Sequence, residues 1–237
     1  MSLLEVSDLW AGYGKLQVLF NVSFSLEGGE LLAVVGPNGS GKSTLLKAIF
    51  GLATIHSGKV VLEGRDITRL KPHERAKLGM AYLPQLGNVF ERLTVRENLK
   101  MAGYTLEGEE FEERLREALE FLPEVRRMLD RRVWTLSGGE RQMVAMAMAL
   151  IRRPKVIMFD EPTATLAPKV AEQVLSKVVE LSERGLGVIL VEQNAKRALE
   201  VSERALLLVA GRQVFLGPSK ELLNNPELSK MYLGVSG

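Results

Sequence analysis

Three short runs of apolar residues, at 31–35, 156–159 and 188–191, predict strands that are buried on both faces. Such near-continuous runs are typical of parallel strands that helices cover on both sides. Between them, residues 109–122 and 170–181 place apolar side chains on one helical stripe, with charged residues elsewhere. This alternation of strands and helices predicts an α/β fold with a mainly parallel sheet.

The first part of the chain follows another pattern. Residues 3–10, 18–26 and 59–63 alternate between apolar and polar positions, and turn residues separate them. Alternation is typical of antiparallel strands with one buried face. We therefore expect an antiparallel β subdomain beside the parallel sheet.

A third region has no convincing strand pattern. Residues 86–150 are mostly charged helix, which predicts a helical subdomain inserted into the α/β core. We expect a single domain over residues 1–237, with its core at about 1–85 and 151–237.

Composition and charge narrow the function classes. The 237 residues are 46% apolar, enough for a buried core, and the formal net charge is only +2. A balanced charge gives no electrostatic basis for binding nucleic acid, and we expect no such partner. The absence of cysteine excludes disulfides and thiolate metal sites, and the widely separated His56 and His73 form no zinc motif.

The sequence contains no pattern typical of a membrane span. Its longest apolar run, 143–151, is half of the roughly 18 residues that a span requires. Residues 1–5 lack the charged start and long apolar stretch of a signal peptide. We expect a cytoplasmic chain whose connection to a membrane is made through another protein.

A glycine-rich segment between a predicted strand and a predicted helix matches the phosphate loop of P-loop NTPases, Gly-x4-Gly-Lys-Ser/Thr. Its glycines let backbone N–H groups converge on phosphate oxygens, beside a helix N-terminus. We expect Lys42 to reach the β- and γ-phosphates and Ser43 to ligate Mg²⁺. The flanking strand and helix disfavour the alternative, a plain glycine-rich turn. The expected nucleotide-binding residues are Gly36, Pro37, Asn38, Gly39, Ser40, Gly41, Lys42, Ser43 and Thr44.

Two acidic residues, Asp160 and Glu161, directly follow the apolar run at 156–159. The strand end would place Asp160 beside the phosphate loop, where such NTPases make a second Mg²⁺ contact. Glu161 could then hold and deprotonate an attacking water as the general base. An isolated acidic pair is more often a helix cap or a solvated turn, but the upstream phosphate loop favours catalysis.

The segment Leu136-Ser137-Gly138-Gly139-Glu140 precedes an apolar helix that runs to about Ile151. A serine and two glycines at a helix start leave N–H groups suited to an anion. The chain thus has two phosphate-type sites and one acidic pair. We interpret this as a head-to-tail dimer, in which Ser137, Gly138, Gly139 and Glu140 of one subunit close the nucleotide of the other. The alternative is a plain serine N-cap.

Together, these motifs resemble the ATP-binding subunits of ABC transporters over essentially the whole chain, with roughly 94 residues between Ser43 and Ser137. The resemblance implies hydrolysis of ATP with Mg²⁺. Tyr13 matches the aromatic residue that stacks on adenine. Gln85 matches the glutamine that contacts Mg²⁺ and senses the transmembrane partner, on which the helical subdomain docks. Also implied are a second ATPase subunit, identical or different, and two permease subunits at the inner face of the membrane.

Within that family, three stretches are most similar to branched-chain amino-acid importers. They are Leu166-Ala167-Pro168, Val191-Glu192-Gln193-Asn194 and the tail at 221–234. The similarity implies import of branched-chain or hydrophobic amino acids that a solute-binding protein delivers. Importers of amides or urea are the related alternatives.

Three positions depart from the family pattern. Gln193 stands where most members have a catalytic histidine, although the branched-chain subgroup commonly has glutamine there. Glu140 replaces the commoner glutamine. Thr165 replaces the usual glycine in the loop after Glu161, where a β-branched residue is awkward if the loop needs a positive φ.

Two clusters are expected to be structural. Met143, Met146 and Met148 lie in an Ala-rich helix and predict core packing. Four arginines surround an acidic residue without interleaved aromatics, which predicts a solvated face. They are Arg126, Arg127, Arg131 and Arg132.

The competing function is a non-transport ABC ATPase that serves cofactor assembly, DNA repair or translation. A repair protein should carry long coiled coils between its motifs, and a translation factor should carry two cassettes; neither feature is present. A regulatory nucleotide binder that does not hydrolyse is a further alternative, against which Glu161 argues.

Overall fold

The computed structural model describes residues 2–225. Its strands are β1 (Leu4–Tyr13), β2 (Leu16–Leu26), β3 (Leu31–Val35), β4 (Thr54–Leu62), β5 (Arg65–Asp66), β6 (Met80–Leu83), β7 (Val156–Asp160), β8 (Gly187–Val191), β9 (Arg204–Val209) and β10 (Arg212–Pro218). Its helices are α1 (Lys42–Phe50), α2 (Pro72–Lys77), α3 (Val95–Ala102), α4 (Gly108–Phe121), α5 (Pro123–Arg126), α6 (Gly138–Ile151), α7 (Pro168–Glu183), α8 (Ala195–Val201) and α9 (Ser219–Leu223). Within this range the strands form one sheet in the order β5-β4-β1-β2-β10-β9-β3-β8-β7-β6.

One half of the sheet is parallel. β3 pairs with β8 and β9, and β7 pairs with β8 and β6, all in parallel register. Every residue of β3, β7 and β8 is buried. Strands covered on both faces have no need of polar positions, which explains their continuous apolar runs. The predicted α/β fold is confirmed.

The other half is mainly antiparallel. β1 pairs antiparallel with both β2 and β4, and β1 extends beyond its predicted end at Trp10 to reach Tyr13. The sequence patterns predict none of β5, β6, β9 and β10. For β6 and β9, periodicity alone does not distinguish such short apolar runs from segments of buried helix.

Each face of the parallel strands packs against a different layer. Leu31, Ala33 and Val35 lie on the face covered by α6, α7 and α8. Leu32 and Val34 lie on the opposite face, in a core with α1 and the antiparallel strands. Helix α1 is therefore enclosed between the two halves of the sheet, which fixes the direction in which its N-terminus points.

Residues 86–151, all of which the structure describes, contain α3, α4, α5 and α6 with a 3₁₀ turn at Val133–Thr135. In α6, Met143 and Met146 are buried and Met148 is partly buried against the same core, as expected for packing residues. The arginines of the predicted solvated face are exposed, also as expected; they are Arg126, Arg127, Arg131 and Arg132. Among residues 2–225, no helix combines the length and apolarity needed to cross a membrane.

Candidate nucleotide-binding site

The phosphate loop connects β3 to α1, and its backbone requires glycine at two positions. Gly36 has a φ of 145°, and a Cβ there would lie 2.0 Å from the carbonyl oxygen of Leu208. Gly41 has a φ of 100°, and a Cβ there would lie 2.8 Å from Leu19. Side chains at either position would displace the loop from the end of the sheet.

The loop presents unpaired polar groups. Within the described range, no hydrogen bond uses the N–H of Gly39, Gly41, Lys42 or Ser43. The Ser40 hydroxyl is buried and also lacks a partner there. The first N–H groups of a helix have no intrahelical partner, and a glycine-rich loop that leaves further donors free beside them gives a surface suited to an anion.

Lys42 is 5% exposed and lies against the loop itself. Its Nζ donates to the carbonyl oxygens of Gly36 at 2.8 Å and Pro37 at 3.0 Å. Burial lowers the pKa of Lys42, and the charges of Glu161 and Asp160 oppose that shift.

Asp160 ends β7 beside the first turn of α1. Its Oδ1 accepts a hydrogen bond from the Ser43 hydroxyl at 2.8 Å, and its Oδ2 accepts one from Tyr82 at 2.8 Å. Burial, together with the charge and hydrogen bond of Asp160, raises the pKa of Tyr82, so the phenol remains a donor. A hydroxyl and a carboxylate oxygen so close together are hard oxygen ligands of the kind Mg²⁺ prefers. Ser43 and Asp160 therefore fit a magnesium ion, which would neutralise phosphate charge.

Glu161 has an unusual backbone. Its φ is +52°, a conformation that few residues other than glycine adopt. Its N–H donates to the carbonyl oxygen of Val191 at 2.9 Å, tying the turn after β7 to the end of β8. Strained residues of this kind persist where the surrounding structure holds them, often at functional sites.

Tyr13 lies at the end of β1, beside the start of α1. Its ring is 44% exposed, and its hydroxyl is 3.5 Å from the Thr44 hydroxyl. The extension of β1 beyond Trp10 therefore brings an exposed aromatic surface next to the phosphate loop.

Gln85 and Gln193 are both exposed. Gln85 lies two residues beyond β6, and Gln193 lies between β8 and α8. Neither side chain makes a hydrogen bond to another described residue. Both loops follow the carboxyl ends of parallel strands, on the same side of the sheet as Asp160. Neither glutamine forms a hydrogen bond with the Asp160 carboxylate.

The start of α6, which is the second predicted phosphate-type site, also has a complete N-terminal cap. The Ser137 hydroxyl accepts from the N–H of Glu140 at 3.3 Å, and the Glu140 carboxylate accepts from the N–H of Ser137 at 2.7 Å. The N–H groups of Gly138 and Gly139 have no partner in the described part of the chain. The plain N-cap and the anion site are therefore compatible, because the cap uses different N–H groups.

Close packing surrounds the two glycines and leaves less room at Gly139 than at Gly138. A Cβ at Gly139 would lie 2.2 Å from Val170 of α7, and one at Gly138 would lie 2.7 Å from Leu166. The loop after Glu161 and the start of α6 are thus in contact within one subunit. Thr165, in that loop, does not have a positive φ, so the absence of the usual glycine imposes no backbone strain.

Sequence reasoning missed two polar residues. Tyr82 is bonded to Asp160, and Glu192, only 2% exposed, accepts from the N–H of Thr163 at 3.1 Å. For Glu192, the signal available in the sequence was a carboxylate directly after an apolar run that predicts a buried strand.

The tail with importer-like residues spans 221–234, and most of it, 226–234, lies outside the described residues.

Comparison with known proteins identifies the family. Residues 19–164 match the ABC transporter family. The probable branched-chain amino acid transport ATP-binding protein LivF of Archaeoglobus fulgidus is 53% identical over 98% of this chain and 99% of its own length. The lipopolysaccharide export system ATP-binding protein LptB of Haemophilus influenzae is 36% identical over 99% and 98%. The solved ADP conformation of MJ1267, an ATP-binding cassette of an ABC transporter, has a TM-score of 0.88 and 29% identity over 98% of both chains.

The matched family segment contains both the phosphate loop and the acidic pair, and the LivF match covers almost the whole chain. The fold, the loop with its unpaired donors and the Ser43–Asp160 pair agree with that assignment. This chain belongs to the ABC transporter family and is an ATP-binding subunit of that family.

Proposed function

We propose that this chain hydrolyses ATP as half of a subunit dimer and thereby powers an importer of branched-chain or other hydrophobic amino acids. The observation that carries the hydrolysis proposal is the Ser43–Asp160 contact of 2.8 Å, which brings the acidic pair to the phosphate loop. The transport proposal is supported by the family and by the LivF relative.

Each site residue has a distinct part in hydrolysis. Lys42 would bind the β- and γ-phosphates with the ammonium group that now donates to the loop carbonyl oxygens of Gly36 and Pro37. Ser43 and Asp160 would hold Mg²⁺, with Gln85 added when its loop closes. Glu161 would accept a proton from the water that attacks the γ-phosphorus, releasing ADP and phosphate. Gln193 would orient that water or the γ-phosphate by hydrogen bonding.

The nucleotide would lie between two subunits. The phosphate loop and the Ser137 helix start are both rich in unpaired N–H groups, but only the phosphate loop has an acidic pair. A head-to-tail dimer would place Ser137, Gly138, Gly139 and Glu140 of one subunit against the γ-phosphate held by the other. ATP would then bridge the subunits, and loss of its γ-phosphate would release them.

Motion would pass to permease subunits through the surface around Gln85. Leu86 is 77% exposed and Phe90 is 51% exposed in the same loop region, next to the helical insertion. Such exposed apolar side chains beside a nucleotide-sensing loop suit a protein partner. We infer a peripheral position at the inner face of the membrane, with two permease subunits and a solute-binding protein that acts through them.

Reconstituted transport tests this proposal. The chain would be purified together with the membrane proteins that bind it, placed in liposomes with a solute-binding protein for branched-chain amino acids, and supplied with ATP. We expect ATP-dependent accumulation of leucine, isoleucine and valine, lost when Glu161→Gln replaces the wild-type chain.

Other outcomes would identify other functions. Accumulation of urea or amides without leucine would replace the proposed solute. ATP-dependent extraction of lipopolysaccharide would reverse the direction of transport and match the activity for which LptB is named. Hydrolysis by a chain that binds no membrane protein would indicate a non-transport ATPase.

A further inference from the structure

Glu192 is a buried carboxyl group that the hydrolysis scheme does not use. It directly follows β8, is 2% exposed and precedes the exposed Gln193. Burial raises its pKa to about 7, an effect to which the charge of Glu161 adds and which hydrogen bonds from Thr163 and Gln193 oppose. A buried carboxyl group is costly, and a small apolar residue would avoid the cost.

Glu192 contacts the turn that carries the general base. Its Oε1 accepts from the N–H of Thr163 at 3.1 Å, two residues after Glu161. The N–H of Glu161 itself donates to Val191, the residue before Glu192. Two consecutive residues at the end of β8 therefore hold two N–H groups of this turn.

The turn needs such support because Glu161 has a φ of +52°. A non-glycine residue in that region costs of order 1–3 kcal/mol and persists only where neighbouring contacts determine it. The bond to Val191 fixes one end of the turn. The bond to Glu192 fixes the other, where Thr163 is itself buried.

We propose that Glu192 is a positioning residue, which holds the Thr163 N–H and thereby keeps the Glu161 carboxylate in its catalytic position. Its proposed effect on hydrolysis passes through Thr163 and the turn that carries Glu161. The same side chain precedes Gln193, so it joins the two loops that flank the γ-phosphate in the proposed scheme. This inference rests on the proposed hydrolysis of ATP.

Three substitutions separate hydrogen bonding from charge. Glu192→Gln keeps an acceptor oxygen at the same reach and removes the charge. Glu192→Asp keeps the charge but withdraws the acceptor by about 1.5 Å, one carbon–carbon bond. Glu192→Leu removes both. Steady-state ATP hydrolysis by the purified full chain would be measured for each variant, with kcat and KM determined separately.

We expect kcat to fall by about 10- to 100-fold in the Asp and Leu variants, since small misplacements of a catalytic group have effects of that size. KM for ATP should change less than threefold, and Glu192→Gln should restore kcat to within about threefold of wild type. Glu30→Val is the matched control. Glu30 also accepts from a backbone N–H, that of Glu27, and pairs with Arg204, but it precedes β3 at the opposite edge of the sheet. Its loss should lower the melting temperature without lowering kcat.

Three results would overturn the proposal. One is a wild-type kcat in the Asp variant, which remains informative if the Leu variant does not fold. Another is a loss of kcat in the Gln variant as large as that in the Asp variant, which would show that an acceptor oxygen at this position is not enough to hold Glu161 in place. The third is a loss in Glu30→Val as large as in Glu192→Asp. A wild-type chain without ATPase activity would instead refute the proposed function.

Discussion

Gly139→Ala tests the close contact between the start of α6 and α7. Gly139 is buried, and a Cβ there would lie 2.2 Å from Cγ1 of Val170. Real Cβ atoms essentially never come closer than about 3 Å to another heavy atom, so one helix must move. Val170 cannot rotate out of the way cheaply, because valine in a helix strongly prefers one χ1 rotamer.

The magnitude follows from two opposing effects. Replacing glycine by alanine within a helix gains about 0.5–1 kcal/mol from backbone entropy. Overpacking of this kind costs about 1–3 kcal/mol. The clash should dominate and leave a net destabilisation of about 1–2 kcal/mol. For a domain of this size, that corresponds to a fall in melting temperature of about 2–8 °C.

Thermal unfolding followed by circular dichroism measures the effect, with Gly138→Ala as the matched control. A Cβ at Gly138 meets only Leu166 Cδ2 at 2.7 Å, the far end of a flexible side chain, so its melting temperature should stay within about 2 °C of wild type. Adding Val170→Ala to Gly139→Ala should restore about 1 kcal/mol, because the two side chains would no longer overlap. Equal stability of Gly139→Ala and wild type, or no recovery in the double variant, would refute this reasoning.

Three further outcomes are expected. Lys42→Ala should abolish tight nucleotide binding, measured by titration with a fluorescent ATP analogue, and unchanged affinity would remove Lys42 from the site. Tyr13→Ala should weaken ATP binding by about 1–3 kcal/mol while leaving tripolyphosphate binding unchanged; equal losses for both ligands in calorimetry would exclude adenine stacking. Arg75 is 1% exposed and donates to four backbone carbonyl groups, including that of Ala48 at 2.9 Å near the end of α1. Because Arg75→Met would leave these carbonyl groups without their donor, it should lower the free energy of unfolding, measured by urea titration, by about 3–5 kcal/mol. A loss below 1 kcal/mol would show that those carbonyls find other partners.

Local motifs made the central part of the site predictable. The phosphate loop is contiguous, and the apolar run before it and the helix after it indicate its structural context. Asp160 was predictable for a similar reason, because parallel strands end at a common edge of the sheet. Its contact with Ser43 joins residues 117 positions apart, and only the combination of motif and strand made that contact foreseeable.

The supporting contacts have no local pattern. The bonds of Tyr82 to Asp160 and of Thr163 to Glu192 join residues 78 and 29 positions apart, and no spacing rule points to either. The positive φ of Glu161 was equally hidden, since glutamate has no preference for that conformation. Gly139 was predicted as an anion-binding residue, whereas its packing against Val170 depends on how two helices approach each other.

Size-exclusion chromatography of Glu161→Gln most directly tests the shared-site account. The amide preserves the size of the carboxylate but cannot accept the proton of water, so hydrolysis should fall by at least about 10²-fold with ATP binding intact. Uncleaved ATP should then bridge Lys42 of one subunit and Ser137 of the other. We predict a dimer with ATP, and a monomer with ADP or without nucleotide. A monomer under all three conditions, with hydrolysis near the wild-type rate, would contradict both the role of Glu161 and the shared nucleotide site.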